Sequence, residues 1–464
     1  MMGEQQPPEP RLFYTGFSLE RRVRADNPLR KVAATVDFDF VSDEVRHLYG
    51  RNGNVSVPPP VILKLMFILF FFNVRSEREL MSRLPEHLDW LWFLGFELDS
   101  PIPDHSVLSK ARARWGEDLF RSFFERIVVS CVEAGLVDGS RIFVDASLVS
   151  ADASKRSVVD RHSLRRHLRK GYREFESRLE GADSGSDGDG VNARCVSMTD
   201  PESALVSYGG RSKLQYKVHR SVDVRSEVIT ATDATRGDEH ESHLLLPLAE
   251  QHRINTGRSA SVVVADSKYG TVENYLSCLD RGIRAHIPDL GRGTSRRRER
   301  EGFFSESRFR YDPDRDVYIC PAGAELKRVG RKASRRGIDY GAAPSICKSC
   351  HLRTQCTRSK RRRTIRRHER QADIERMRSE AGGAESKRDI RQRQHLMERS
   401  FARAVPHGHK RARWRGLKRV MIQEYLISAI QNIKVLIRYG RPRGGAAIAV
   451  PPTSHTQAFA PCFT

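Results

Sequence analysis

The sequence predicts a mixed α/β fold: a sheet core preceded by an all-helical domain and interrupted by a Cys-containing insertion. Three observations predict it. Two short apolar runs, Ile142-Phe143-Val144-Asp145 and Val262-Val263-Val264-Ala265-Asp266, each end on an aspartate. Residues 58–136 show apolar spacing of helical period instead. Residues 291–384 are dense in Arg and Lys and hold four cysteines, unlike the segments on either side.

A chain of 464 residues is too long for one core, so two to four domains are expected. Its net charge of +23, from 81 Lys and Arg against 58 Asp and Glu, suits a polyanion, with DNA or RNA the leading partner. A membrane surface would want an amphipathic basic helix or an anchor. The N-terminus lacks a charged-then-apolar secretory pattern. The longest apolar run, residues 61–72, contains Lys64. It is too short to span a bilayer core of roughly 30 Å and reads as a buried helix. Among eight cysteines, Cys131, Cys195, Cys278 and Cys462 are scattered, which fits a reducing cytoplasm better than a secreted disulfide framework.

Taken in order, residues 1–55 are polar and Pro-bearing at the start and read as a loosely ordered extension. Helices are expected at 61–72 and 77–84, with Trp90, Trp92 and Phe93 packed around a turn. Another runs from Val107 to about Trp115, with Asp104 or Ser106 as its N-cap and Lys110, Arg112 and Arg114 on an exposed face. That shape is similar to a helix-turn-helix DNA reader, and equally to an ordinary helical bundle. The Ile142–Val144 run has no polar face and reads as a strand buried on both sides. A basic helix-like segment follows at 161–178, then a Gly- and Asp-rich excursion at 181–190. A hairpin pairs 216–224 with 228–232, a helix spans 239–252, and the second Asp-ending strand covers 262–266. A helix at 272–280 and a strand at 284–287 complete the sheet.

A charge is rarely left unpaired at the end of a buried strand. One such Asp serves equally well as a turn or helix cap. Two, on two strands, point to a hard divalent cation, which prefers carboxylate oxygens.

Several phrases in this order resemble the DDE transposases of bacterial insertion sequences. They are Val144-Asp145-Ala146-Ser147 with Ala151-Asp152-Ala153-Ser154, Thr199-Asp200-Pro201-Glu202, Lys217-Val218-His219 with Val222-Asp223, Thr235-Arg236-Gly237-Asp238-Glu239-His240, and Val264-Ala265-Asp266-Ser267-Lys268-Tyr269-Gly270. Pro103-Asp104-His105-Ser106 sits in a helical region like the N-terminal domain of that family. The resemblance implies a ribonuclease-H-like sheet core that cuts element ends and joins them to target DNA, with Mg²⁺ or Mn²⁺ held by Asp145, Asp266 and a helical Glu. It also implies terminal inverted repeats as partners, a homodimer or higher oligomer on DNA, and action in the bacterial cytoplasm at the nucleoid. A catalytically impaired copy that only binds DNA, or a nuclease of the same fold that cuts without joining, are the alternatives.

For the third carboxylate, Met397-Glu398-Arg399-Ser400-Phe401 resembles the family's Glu-Arg-x-Phe phrase. Glu398 lies about 60° from Phe401 at 100° per residue, on the flank of an apolar face. Its rival, Glu424, falls about 160° from Leu426 and reads as solvent-facing. The family's Tyr-x2-Arg-x3-Glu-x6-Lys pattern meets Arg391, Gln394, Glu398 and Val405 here, so its Arg and Lys roles are unfilled at register. Arg393, Arg399 or Lys410 are candidates to replace them in gripping DNA. Cys320, Cys347, Cys350 and Cys356, with one Cys-x2-Cys pair, suggest a structural Zn²⁺, with His351 a substitute ligand and free thiols the alternative. Basic blocks at 296–300, 327–336 and 360–370 would neutralise phosphates. The expected organisation is an extension at 1–55, a helical DNA-binding-like domain at 56–138, the first part of the core at 139–290, the basic insertion at 291–384, core-completing helices at 385–440 and a disordered tail at 441–464.

Overall fold

The computed structural model describes residue 2 and residues 18–50, 55–161, 191–208, 210–332 and 336–440. The basic segment at 162–178, the excursion at 181–190 and the tail at 441–464 lie outside the described residues.

The sheet is built around β1 (Arg141–Ser150). Ile142, Phe143 and Val144 are all fully buried, which satisfies the two-faced apolar run. On one side β1 pairs antiparallel with β5 (Arg211–Asp223), which pairs with β4 (Ala204–Tyr208) and with β6 (Ile229–Arg236). On the other it pairs parallel with β7 (Val262–Val264), and β7 with β8 (Arg284–His286). The order β6-β5-β1-β7-β8, antiparallel on one side and parallel on the other, is the ribonuclease-H-like mixed sheet that the sequence led us to expect. Two short strands, β2 (Val158–Asp160) and β3 (Cys195–Ser197), pair beside it.

The faces of this sheet bury different partners. Phe143, Val262 and Val264 join a large core with the N-terminal helices, whereas Ile142, Val144 and Val263 join a second with Leu245, Leu248 and Tyr275. The first core takes in α1 (Leu19–Arg22), α2 (Pro28–Thr35), α3 (Phe40–Val45), α4 (Pro59–Phe71), α5 (Glu77–Arg83), α6 (Leu88–Leu94), α7 (Ser106–Trp115) and α8 (Asp118–Glu133). Leu29, Val32 and Val41 are fully buried in it, so residues 18–50 are packed helices and not the loose extension their polarity suggested. The apolar run is α4, buried as expected, while the Asp104 side chain accepts from Ser106 N–H at 2.8 Å at the start of α7.

The second face carries α9 (Leu245–Thr256) and α10 (Val272–Asp280). After α11 (Gly291–Arg300), the insertion folds as an antiparallel sheet, β13-β12-β11-β10-β9. Its strands are β9 (Arg310–Asp312), β10 (Val317–Ile319), β11 (Glu325–Lys332), β12 (Gly337–Gly341) and β13 (Thr364–His368). Two short helices, α12 (Pro344–Lys348) and α13 (Arg353–Cys356), cross between β12 and β13. The chain then returns through α14 (Gln371–Ala381), α15 (Ala384–Ala404) and α16 (Leu417–Tyr439). Among the described residues, α16 is the one helix long and apolar enough to cross a membrane, and it is buried within protein instead.

Candidate metal centre

Strand parity brings the two aspartates together. The β1–β7 register pairs Arg141 with Val262, Ile142 with Val263 and Phe143 with Val264. The same two-residue step beyond Phe143 and beyond Val264 leads to Asp145 and to Asp266, at one end of strands about 4.8 Å apart. Neither aspartate has moved into the apolar interior. Asp145 lies beyond the last β1–β7 pair but within the β1–β5 ladder, opposite Arg220, and Asp266 lies just past the end of β7.

The third carboxylate at this spot belongs to Glu241, at the start of a short 3₁₀ turn after β6 (Glu241–Leu244). Ligand oxygens of Asp145, Glu241 and Asp266 all lie within 4.8 Å of one another. Cations hold them. Arg393 Nη1 donates to Asp145 Oδ2 at 2.7 Å, and Lys268 Nζ donates to Glu241 Oε1 at 2.8 Å. Lys217 Nζ lies 3.6 Å from the same Glu241 oxygen. Local backbone donors fix the aspartates: Ala146 N–H to Asp145 Oδ1 at 2.8 Å, and Lys268 N–H to Asp266 Oδ1 at 2.9 Å.

The electrostatics are those of crowded carboxylates. Burial pushes the Asp145 carboxyl above its ordinary value; Arg393 and the Ala146 N–H oppose this, and the charges of Asp266 and Glu241 add to it. Burial lowers the Lys217 ammonium, with Glu241 opposing. Lys268 is raised: its partial burial acts downward, but the bond to Glu241 and the acidic neighbours outweigh it. The Tyr269 hydroxyl is buried and has no hydrogen-bond partner among the described residues. Burial raises its pKa, and the charges of Glu241, Asp145 and Asp266 raise it further. Three converging carboxylates beside an unsatisfied O–H donor fit a hydrated divalent cation, which takes one or two carboxylates and keeps several waters.

The other expected site residues are placed as follows. Glu398 is exposed on α15 and lies outside the carboxylate group. The α15 face turned inward carries Asp389, Arg393, Met397 and Ser400. Arg393 is the residue that meets Asp145, and Glu398 is about 140° around the helix from it. Glu424 is fully buried and not solvent-facing, bound by Arg220 Nη2 at 3.1 Å and His409 Nδ1 at 3.1 Å. Amphipathic reasoning fails on α16 because protein surrounds the helix. On α7, Lys110 and Arg114 are exposed, Arg114 lying over the Tyr49 ring. Arg112 is not on that surface: it is buried, paired with Glu77 and 3.9 Å from the Trp414 ring centroid. Arg399 is exposed and paired with Glu227. Cys320, Cys347, Cys350 and Cys356 line one hollow in the insertion.

Sequence reasoning missed Glu241, Lys268 and Tyr269 as members of the site. Glu241 follows the quoted phrase ending Glu239-His240 by a single residue, and Lys268 and Tyr269 belong to the phrase containing Asp266.

Comparison with known proteins adds the family. Residues 17–114 match the family described as a transposase domain (DUF772), and residues 319–437 match the transposase DDE domain. The second match takes in the Cys-bearing segment and both helices that carry Glu398 and Glu424. No curated protein matches. Among solved structures, a piggyBac transposase synaptic complex with hairpin DNA is similar at 11% identity and a TM-score of 0.36, covering 89% of this chain and 74% of that one; so distant a likeness bears on no residue here. Two transposase domains, the second of the DDE type, thus match in chain order on either side of the sheet that carries the paired aspartates, and the matches support a DDE transposase.

Proposed function

We propose that the chain cuts the ends of an insertion sequence and joins them to target DNA by metal-dependent hydrolysis and transesterification. The observation that carries this reading is the convergence of Asp145, Glu241 and Asp266 within 4.8 Å. Bound Mg²⁺ or Mn²⁺ would activate a water or 3′-hydroxyl and steady the leaving oxygen. Asp145 and Asp266 hold the metal from neighbouring strands, and Glu241 closes the set in place of the Glu398 suggested by resemblance. Arg393 and Lys268, bonded to Asp145 and Glu241, would stand beside a bound divalent cation and could hold a substrate phosphate there. The Tyr269 O–H is placed to donate to a water in the site. DNA ends and target DNA are the substrates, a dimer or higher oligomer on DNA is the working form, and the bacterial nucleoid is the place of action.

A second reading, an impaired copy that only binds DNA, draws on Gln394 and Val405 at the family's Arg and Lys positions. A strand-transfer assay with labelled element-end DNA separates the readings. Joined product supports transposition, cleavage alone means a nuclease, and binding alone means an impaired copy. In the same assay Asp145→Asn and Asp266→Asn are expected to keep DNA binding. Each should lose several kcal/mol of transition-state stabilisation, a rate loss of about a hundredfold or more. Glu241→Gln should behave likewise and Glu398→Gln should not; the reverse result would return the third place to Glu398.

A further inference from the structure

The insertion is a small fold with a small core. Buried Phe309, Tyr318, Leu326, Tyr340, Ala342 and Ile365 make up its apolar cluster, separate from the cores of the main sheet. Clusters of that size rarely hold a module of roughly sixty residues without a disulfide or a metal. Its cysteines are free thiols.

All four lie around one hollow beside that core. Cys320 follows β10 directly, Cys347 lies in α12, Cys350 in the turn three residues later, and Cys356 closes α13. All four line a hollow of about 180 Å³. Around Cys320 the backbone makes a tight turn: Cys320 N–H donates to Ala324 O at 3.0 Å and Gly323 N–H to Cys320 O at 2.9 Å, with Gly323 at φ 80°. That left-handed residue lets the chain fold back beside the thiol. Two guanidinium groups that also line the hollow bond the backbone of Cys347 and Cys356. Arg353 Nη1 donates to Cys347 O at 2.7 Å and Arg363 Nη1 to Cys356 O at 2.9 Å.

We propose that Cys320, Cys347, Cys350 and Cys356 bind one structural Zn²⁺ as thiolates. Two come from a Cys-x2-Cys turn and two from flanking segments, the pattern of a closed tetrahedral site with no place for a substrate. Four sulfurs complete the coordination, so His351, exposed at the rim of the same hollow, is left out. The quartet is not among the groups whose ligand atoms already lie within 4.8 Å of one another. Zinc would therefore draw the thiols in, which the short helices α12 and α13 permit. The ion acts as the staple that the small core lacks, and it tethers β10 to the α12–α13 segment. This inference stands apart from the proposed DNA chemistry.

The test uses the full chain, purified under reducing conditions without chelator. Zinc measured by mass spectrometry should approach one per chain, and Co²⁺ exchanged into the site should show intense sulfur-to-cobalt charge transfer. Cys350→Ser and Cys356→Ser should lose most of the metal, while His351→Ala keeps it. Chelation of the wild-type chain should expose residues 303–368 to protease ahead of the main sheet. Reduced wild-type protein that contains no zinc and takes up neither Zn²⁺ nor Co²⁺ would overturn the proposal without any variant having to fold. So would full retention of zinc in both serine variants, or cysteines found paired as disulfides. Because metal content and protease sensitivity are read without DNA, failure here leaves the strand-transfer result untouched.

Discussion

Asp145 owes its chemistry to a conflict between burial and charge. The carboxyl lies near two others, and burial raises its pKa above the ordinary 3.8. A raised carboxyl binds a proton at a pH where an ordinary one would not, and metal must displace that proton. Metal affinity should therefore fall as pH drops through the raised value, at higher pH than a solvent-exposed aspartate would allow. The sign for folding follows: below the ordinary value both states are protonated, and the folded state loses relative stability as pH rises through the raised pKa. Arg393 works against the shift. Arg393→Met is expected to push the acid limb of the Mn²⁺-dependent cleavage profile to higher pH; an unmoved limb would mean that Arg393 does not govern the Asp145 proton.

At the scale of elements, the buried group joining β5 to α16 is the point where removal should do most damage. Arg220, His409 and Glu424 are each fully buried, and Gln431 Oε1 accepts from Arg220 Nη1 at 3.0 Å. Burial alone would raise the Glu424 carboxyl, but His409 and Arg220 outweigh it and hold it below the ordinary value of 4.5. Glu424→Ala leaves the Arg220 charge unpaired in the interior, a cost of about 3–5 kcal/mol. Replacing both, as Arg220→Met with Glu424→Met, should recover much of that in urea unfolding. A double variant as unstable as the single would show that the pair is not the cause. For pH the sign is opposite to that of Asp145. The contribution of Glu424 is complete above 4.5 and is lost as pH falls through its lowered folded value.

The whole molecule carries a formal charge of +23, and on the proposed reading that surplus would govern its association with DNA. If six or more phosphates are neutralised, affinity should fall about 10³-fold or more between ~50 and ~200 mM salt, whatever the base sequence. A shallow salt slope with element-end DNA would remove nucleic acid as the partner that the charge implies. Not every arginine contributes to that slope. Arg112 is committed to Glu77 and Trp414, and Arg399 to Glu227, pairs that already cancel within the +23.

Local pattern was enough for most of the elements, residues 18–50 excepted, and it singled out two of the three acids that cluster. The helix at Val272–Asp280 has the limits its spacing predicts, the hairpin forms, and both apolar runs become strands, although β1 continues past Asp145 to Ser150 and β7 stops at Val264, short of Asp266. These are properties of neighbouring residues in a strand or helix, and a sequence states them directly. Which charges meet was decided only in three dimensions. Glu241 reaches the aspartates through the turn after β6, Arg393 faces Asp145 across 248 positions, and Glu424 is neutralised by Arg220 across 204. Periodicity tells which way a side chain points from its own element. It does not say what another element has placed there, and for a charged group that neighbour decides whether it is surface, salt bridge or ligand.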